Sequence, residues 1–208
     1  MDINKTIEER KIVPVVALPE EKDALPLAEA LIAGGLPVAE VTFRTAAAEN
    51  SIREITKRYP EMLVGAGTVA TAEQAKKAQD AGAKFLVSAG FSREVTEYAI
   101  KNQLPIFPGV CTPTELMMLL EYDLHIAKFF PASQYGGLDT IKALSGPFPN
   151  MRFMPTGGIS AKNIREYLAY PKVIACGGSW MVKGDLIKAG DFEEIRKLTA
   201  EAVALVRA

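Results

Sequence analysis

At 208 residues, nearly half of them hydrophobic, the chain can bury a sizeable core, and α/β barrels occur as one domain at about this length. Its 24 Lys and Arg against 25 Asp and Glu leave a formal charge of −1, which offers nothing to nucleic acid or a membrane surface, so any anion must be bound locally. One His, and two cysteines too far apart for a zinc knuckle, exclude most metal sites; Cys111 and Cys176 read as small core residues.

The start, MDINKTIEERK, is polar and charged, and no later run approaches a membrane span, so the cytoplasm is the expected compartment. Residues 1–11 predict a helix outside the repeat that follows, plugging the bottom of a barrel. From there, eight short apolar runs alternate with longer amphipathic stretches. The runs are 12–18, 38–43, 63–68, 84–88, 105–110, 125–130, 152–156 and 173–176. Helical spacing marks the segments between them, as at 23–33, 72–81 and 114–121. Gly34-Gly35, Gly82 and Asn102 follow helical stretches, where left-handed C-caps are expected. Apolar runs without strict alternation suit strands covered on both faces, and strand-then-helix eight times predicts a (β/α)8 TIM barrel with an extra N-terminal helix. An open doubly wound sheet would have to hold eight parallel strands without closing. No linker or composition shift divides the chain, so 1–208 reads as a single barrel domain.

Polar residues at the C-terminal ends of barrel strands face the active-site mouth. In the second run Glu40, Thr42 and Arg44 recur at every second position and share a face, while Val41 and Phe43 face the helices. A buried Glu–Arg pair is weak stabilisation, so the pattern points to function as well as to structure. Gly65-Ala66-Gly67-Thr68 ends the third run with glycines that let a ligand approach the backbone. Thr68 reads equally as part of a turn before the next helix.

The sixth run, Ile126-Ala127-Lys128-Phe129-Phe130-Pro131, places one amine in an apolar strand. A buried ammonium is costly, so a lysine in such surroundings tends to lose its proton and become a nucleophile that forms a Schiff base with a ketone. The structural alternative is a packed stem with the head reaching solvent. After the seventh run, Thr156-Gly157-Gly158-Ile159-Ser160 opens a helix predicted from Ala161. Gly177-Gly178-Ser179 follows the eighth. Paired glycines before a helix expose N–H groups to an anion, at the two loops where such barrels hold phosphate. His125, at the start of its strand, and Trp180, packed under the last loop, read as structural.

The segments EVTFRT (40–45), GAGTV (65–69), PGVCTPTE (108–115), KFFPA (128–132), PTGGIS (155–160) and GGSWMV (177–182) make the chain resemble the bacterial 2-keto-3-deoxy-6-phosphogluconate (KDPG) aldolases, which also cleave 4-hydroxy-2-oxoglutarate (KHG). The resemblance runs from about Ile12 to the C-terminus. It implies a homotrimeric barrel and a class I lyase needing no metal or cofactor, with a small 2-keto acid as substrate. Lys128 would form the Schiff base and Glu40 would be the acid/base. Arg44 and Thr68 would hold the pyruvoyl carboxylate, Thr156 would face the sugar hydroxyls, and Gly157, Gly158, Gly178 and Ser179 would hold the phosphate. One departure is Ala89, where many relatives have Ser-Pro with a proline to stiffen the loop. A sugar-phosphate isomerase or epimerase on the same barrel would need the glycine loops but not Lys128, and a non-catalytic phosphometabolite-binding module would need neither Lys128 nor Glu40.

Overall fold

A computed structural model describes residues 2–207, so Met1, at the head of the expected first helix, lies outside the described residues. In chain order the elements are α1 (Ile3–Arg10), β1 (Ile12–Val16), α2 (Ala24–Ala33), β2 (Val38–Thr42), α3 (Ala48–Arg58), β3 (Leu63–Gly67), α4 (Ala72–Asp80), β4 (Leu86–Val87) and α5 (Arg93–Lys101). There follow β5 (Ile106–Phe107), β6 (Gly109–Val110), α6 (Pro113–Leu120), β7 (Ile126–Phe129), α7 (Gly137–Ser145), β8 (Arg152–Pro155), α8 (Ile164–Leu168), β9 (Cys176–Gly178), α9 (Gly184–Ala189) and α10 (Phe192–Arg207).

Every ladder is parallel. One sheet runs β5-β4-β3-β2-β1-β9 and the other β6-β7-β8, with isolated parallel bridges Phe153↔Val173 and Thr156↔Gly177 joining β8 to the segment leading through β9. The fifth apolar run is split by Pro108, which has no N–H to give a ladder, so that β5 pairs in one sheet and β6 in the other. Strands β2, β3 and β7 are buried at every position, as expected for strands with helices on one side and core on the other.

Helix α1 crosses the N-terminal ends of the strands. Asp2 caps it by accepting from the Lys5 N–H at 3.1 Å, Ile7 is fully buried, and the Glu8 carboxylate accepts from Arg152 at the start of β8 at 2.8 Å. His125 lies at this same end, half exposed and 2.9 Å from Asp123, far along β7 from the polar strand ends.

Three local expectations shift. The eighth strand starts at Cys176 rather than 173, because its register is set by β1, with Ile12 opposite Cys176 and Pro14 opposite Gly178. After α5 the left-handed residue is Gln103 (φ 54°), not Asn102 (φ −98°), whereas Gly35 and Gly82 are left-handed as expected. The helix expected from Ala161 begins only at Ile164 and has five residues, since residues 161–163 form a turn held by the Asn163 side chain, which bonds to Ser160 N and Gly158 O at 2.9 Å each.

Candidate active site

Alternation along β2 puts Glu40 and Thr42 on one face, and β7 sends Lys128 toward them. Lys128 Nζ lies 3.3 Å from Glu40 Oε1, with side-chain exposures of 5% and 0%. The other carboxylate oxygen, Glu40 Oε2, is buried and has no hydrogen-bond partner. A buried acceptor left open is costly unless something else satisfies it, and such exceptions concentrate where a ligand is handled. The Phe130 ring centroid lies 5.1 Å from Lys128 Nζ, so the amine has a π face as well as a carboxylate beside it.

The glycines of β3 make this arrangement possible in a way the sequence did not disclose. A Cβ on Gly67 would stand 2.2 Å from Glu40 Oε1, and one on Gly65 would stand 2.3 Å from the Phe85 ring. They make room for the Glu40 carboxylate and a core ring, rather than exposing backbone to a ligand. Arg44 does not pair with Glu40. Its Nε donates to Thr42 Oγ1 at 3.1 Å, and that hydroxyl donates to the Val16 carbonyl at 2.8 Å, which fixes the base of the guanidinium above β1 and β2.

Arg44, Phe130, Thr156, Gly157, Gly158, Gly178 and Ser179 line one cleft of about 170 Å³. Phe130 is therefore the link between this cleft and the Lys128–Glu40 pair beneath it. Thr156 is buried, its hydroxyl filling the space that a Cβ on Gly177 would take, whereas Ser179 and Arg44 are exposed. Gly157 (φ 98°) and Gly158 (φ 75°) need the left-handed freedom of glycine. Thr68 does not line the cleft. It follows β3 directly, half-buried with φ 56°, and Thr71 rather than Thr68 caps α4, accepting from Gln74 N at 3.2 Å.

Other residues support the cleft: Ser133 had no signal of its own in the sequence, whereas Trp180 packs at the last loop as expected. Ser133 braces the Gly157 loop, with N–H and Oγ both donating to the Gly157 carbonyl at 3.1 and 3.2 Å. Trp180 packs over Gly178 so closely that a Cβ there would be 2.0 Å from the ring. Phe130 could have been found, because it stands two residues beyond Lys128 and so shares its face. The Ala89 backbone crosses Gly109, where a Cβ would lie 2.2 Å from the Ala89 carbonyl oxygen, so the loop after β4 is packed on β6. Cys176 is fully buried, and burial pushes its thiol far above the usual range; Cys111 is half-buried and raised in the same sense, by burial first and Glu115 second.

Parallel strands covered by helices, with a lysine–carboxylate pair buried beneath an arginine- and glycine-lined cleft, define an α/β protein with the parts of an imine-forming enzyme. A family model described as KDPG and KHG aldolase matches residues 3–198, and the chain belongs to that family. It is 45% identical to the 2-dehydro-3-deoxy-phosphogluconate aldolase of Treponema pallidum over 98% of this chain and 97% of the relative. It is likewise 45% identical to the KHG/KDPG aldolase of Escherichia coli, over 92% and 90%. Among solved structures, it is similar to the KDPG aldolase of Legionella pneumophila, crystallised with pyruvate captured at low pH as a covalent carbinolamine intermediate. That match has a TM-score of 0.93 and 41% identity, covering 97% of this chain and 98% of the other.

Proposed function

We propose that the protein is a class I aldolase that cleaves KDPG to pyruvate and glyceraldehyde 3-phosphate, and 4-hydroxy-2-oxoglutarate to pyruvate and glyoxylate. The observation that carries this reading is the buried 3.3 Å approach of Lys128 Nζ to Glu40, whose second oxygen has no hydrogen-bond partner. An isomerase or a binding module has no need of a buried amine there. Relatives named as KDPG and KHG/KDPG aldolases, and a neighbour that holds pyruvate covalently, support the same chemistry.

In this reading the neutral amine of Lys128 attacks the C2 ketone, and loss of water from the carbinolamine gives a protonated imine. Arg44 and Thr68 hold the C1 carboxylate, a role that fits the guanidinium's charge and asks Thr68 to turn its hydroxyl toward it. Glu40, through a bound water, takes the C4 hydroxyl proton. The C3–C4 bond breaks, its electrons pass into the imine to leave an enamine, and C4 departs as an aldehyde. Glu40 then returns the proton to C3, and water hydrolyses the pyruvate imine to free Lys128. Thr156 faces the substrate hydroxyls, while Gly157, Gly158, Gly178 and Ser179 receive the phosphate.

The finer architecture belongs to the same reading. Pro108 joins β5 to β6 and the two isolated bridges join β8 to β9, which supports closure into a (β/α)8 barrel, with α1 as the extra helix over its N-terminal end and residues 1–208 acting as one domain. Met117 and Leu120, exposed three residues apart on α6, give a homotrimer an apolar surface to cover. Two free thiols, and the lack among the described residues of any helix long and apolar enough to cross a membrane, support a cytoplasmic location. The test of the function is pyruvate release from KDPG, followed by coupled reduction to lactate. A wild-type protein that releases none from either substrate would overturn it.

A further inference from the structure

We propose that Lys183 is a specificity-determining residue of this enzyme, supplying the cation that favours a phosphorylated 2-keto acid over a short unphosphorylated one. The inference rests on the aldolase reading above and names a group that reading does not use. Beyond the glycine loops the cleft opens into a wider cavity of about 530 Å³, lined among others by Arg44, Gly158, Ser179, Trp180 and Lys183. Two cations and no carboxylate line it, in a chain whose formal charge is −1, so this positive character is local.

The position of Lys183 is fixed from beneath. Met181 and Val182 are buried, the Val182 N–H donates to the Ser179 carbonyl at 3.1 Å, and the Ile187 N–H donates to the Lys183 carbonyl at 3.2 Å. Ser179 therefore opens a pinned turn closed at Val182, and Lys183 follows it at the N-cap of α9, both exposed and both on the cavity wall. Among the described residues Lys183 makes no ion pair, whereas Lys76, Lys77, Lys142 and Lys197 each pair with an acid on their own helix. Arg44, the cavity's other cation, already donates to Thr42.

A phosphate dianion at this place needs a charge that the loops lack. With α8 starting at Ile164 and only five residues long, no helix dipole backs Gly157 and Gly158, and Ser179 offers a neutral hydroxyl. A lysine suits the task as a point charge on a flexible stem.

The test compares Lys183→Gln and Lys183→Arg with wild type on KDPG and on 4-hydroxy-2-oxoglutarate, at low salt and at about 0.5 M salt. The Gln variant is expected to lose roughly five- to twentyfold in kcat/KM on KDPG, through KM, with less than a twofold change on the short substrate. Arginine should restore most of the loss, and salt should shrink it. No loss on KDPG, or equal losses on the two substrates, would overturn the proposal while leaving the aldolase reading intact. A wild type that cleaves only the short substrate would also overturn it, and one that cleaves neither would remove the aldolase reading on which it rests.

Discussion

Glu40 and Lys128 stand 88 residues apart in the chain, on β2 and β7 of different ladders, yet the carboxylate oxygen of one and the amine of the other meet at 3.3 Å in the interior. Such a pair contributes little to stability, because desolvating both groups offsets their attraction, and well-packed apolar residues would serve the core as well or better. Its placement beneath an open cleft is therefore best explained by proton transfer beside a nucleophile. Glu40→Gln keeps the shape and removes the proton acceptor. Imine formation with pyruvate should persist while turnover falls by roughly two to four orders of magnitude. Turnover within threefold of wild type would reduce Glu40 to a structural partner of Lys128.

Gly67→Ala should be worse for catalysis than for folding. The added methyl carbon meets Glu40 Oε1 at 2.2 Å, so the carboxylate must leave its place. Gly65→Ala is the control, since its methyl meets the Phe85 ring and disturbs the core without touching Glu40, at a cost of about 1–3 kcal/mol. Measured together, kcat and Tm should separate the two: a large loss of kcat for the first, and mainly a lower Tm for the second.

Ser179→Ala removes one exposed hydroxyl from the loops proposed to receive the phosphate, worth about 1 kcal/mol, or roughly fivefold in kcat/KM on KDPG. The short substrate has no phosphate to contact and should hardly respond. Equal losses on both would return the glycine loops to the status of turns.

The quaternary reading is tested by Met117→Glu. Met117 is 60% exposed on α6, and a charge there should break a trimer that buries it. Sedimentation should show three-chain mass for wild type and a smaller species for the variant. Unchanged mass would put the interface elsewhere.

Glu115 gives a pH-dependent prediction. Burial alone would raise its carboxyl, but the N–H groups of Cys111 and Thr112 and the Thr112 hydroxyl, donating at 2.8–2.9 Å, hold it below its ordinary value of 4.5. A lowered carboxyl contributes stability above the unfolded value and loses it as pH falls through the folded one. Glu115→Gln should therefore cost about 0.5–1 kcal/mol at pH 7, after screening of this mostly solvated group, and the difference should fade in acid. Urea unfolding at a series of pH values reads it, and a gap that widens toward low pH would contradict the assignment.

Much of this architecture was legible because period and composition act locally. The apolar runs became strands, Glu40 and Thr42 shared a face as the two-residue period requires, and a lysine amid aliphatic and aromatic residues was buried. What escaped depended on contacts between distant segments. Gly65 and Gly67 look like ligand-facing glycines until Phe85 and Glu40 are seen to fill their space. The bracing of Gly157 by Ser133, across 24 residues, leaves no periodic trace. The turn over residues 161–163 arises from one Asn163 side chain competing for backbone groups, which displaces the expected helix start to Ile164.

The central claim is that Lys128 forms the imine, and borohydride reduction in the presence of pyruvate tests it most directly. Peptide mass mapping should find one reduced pyruvate adduct on the peptide carrying Lys128. Lys128→Ala should lose both the adduct and cleavage, and Lys128→Arg should fail too, because it keeps the charge and cannot form an imine. An adduct on Lys172 or Lys183 in the wild type, or none at all under conditions where KDPG is cleaved, would contradict the account.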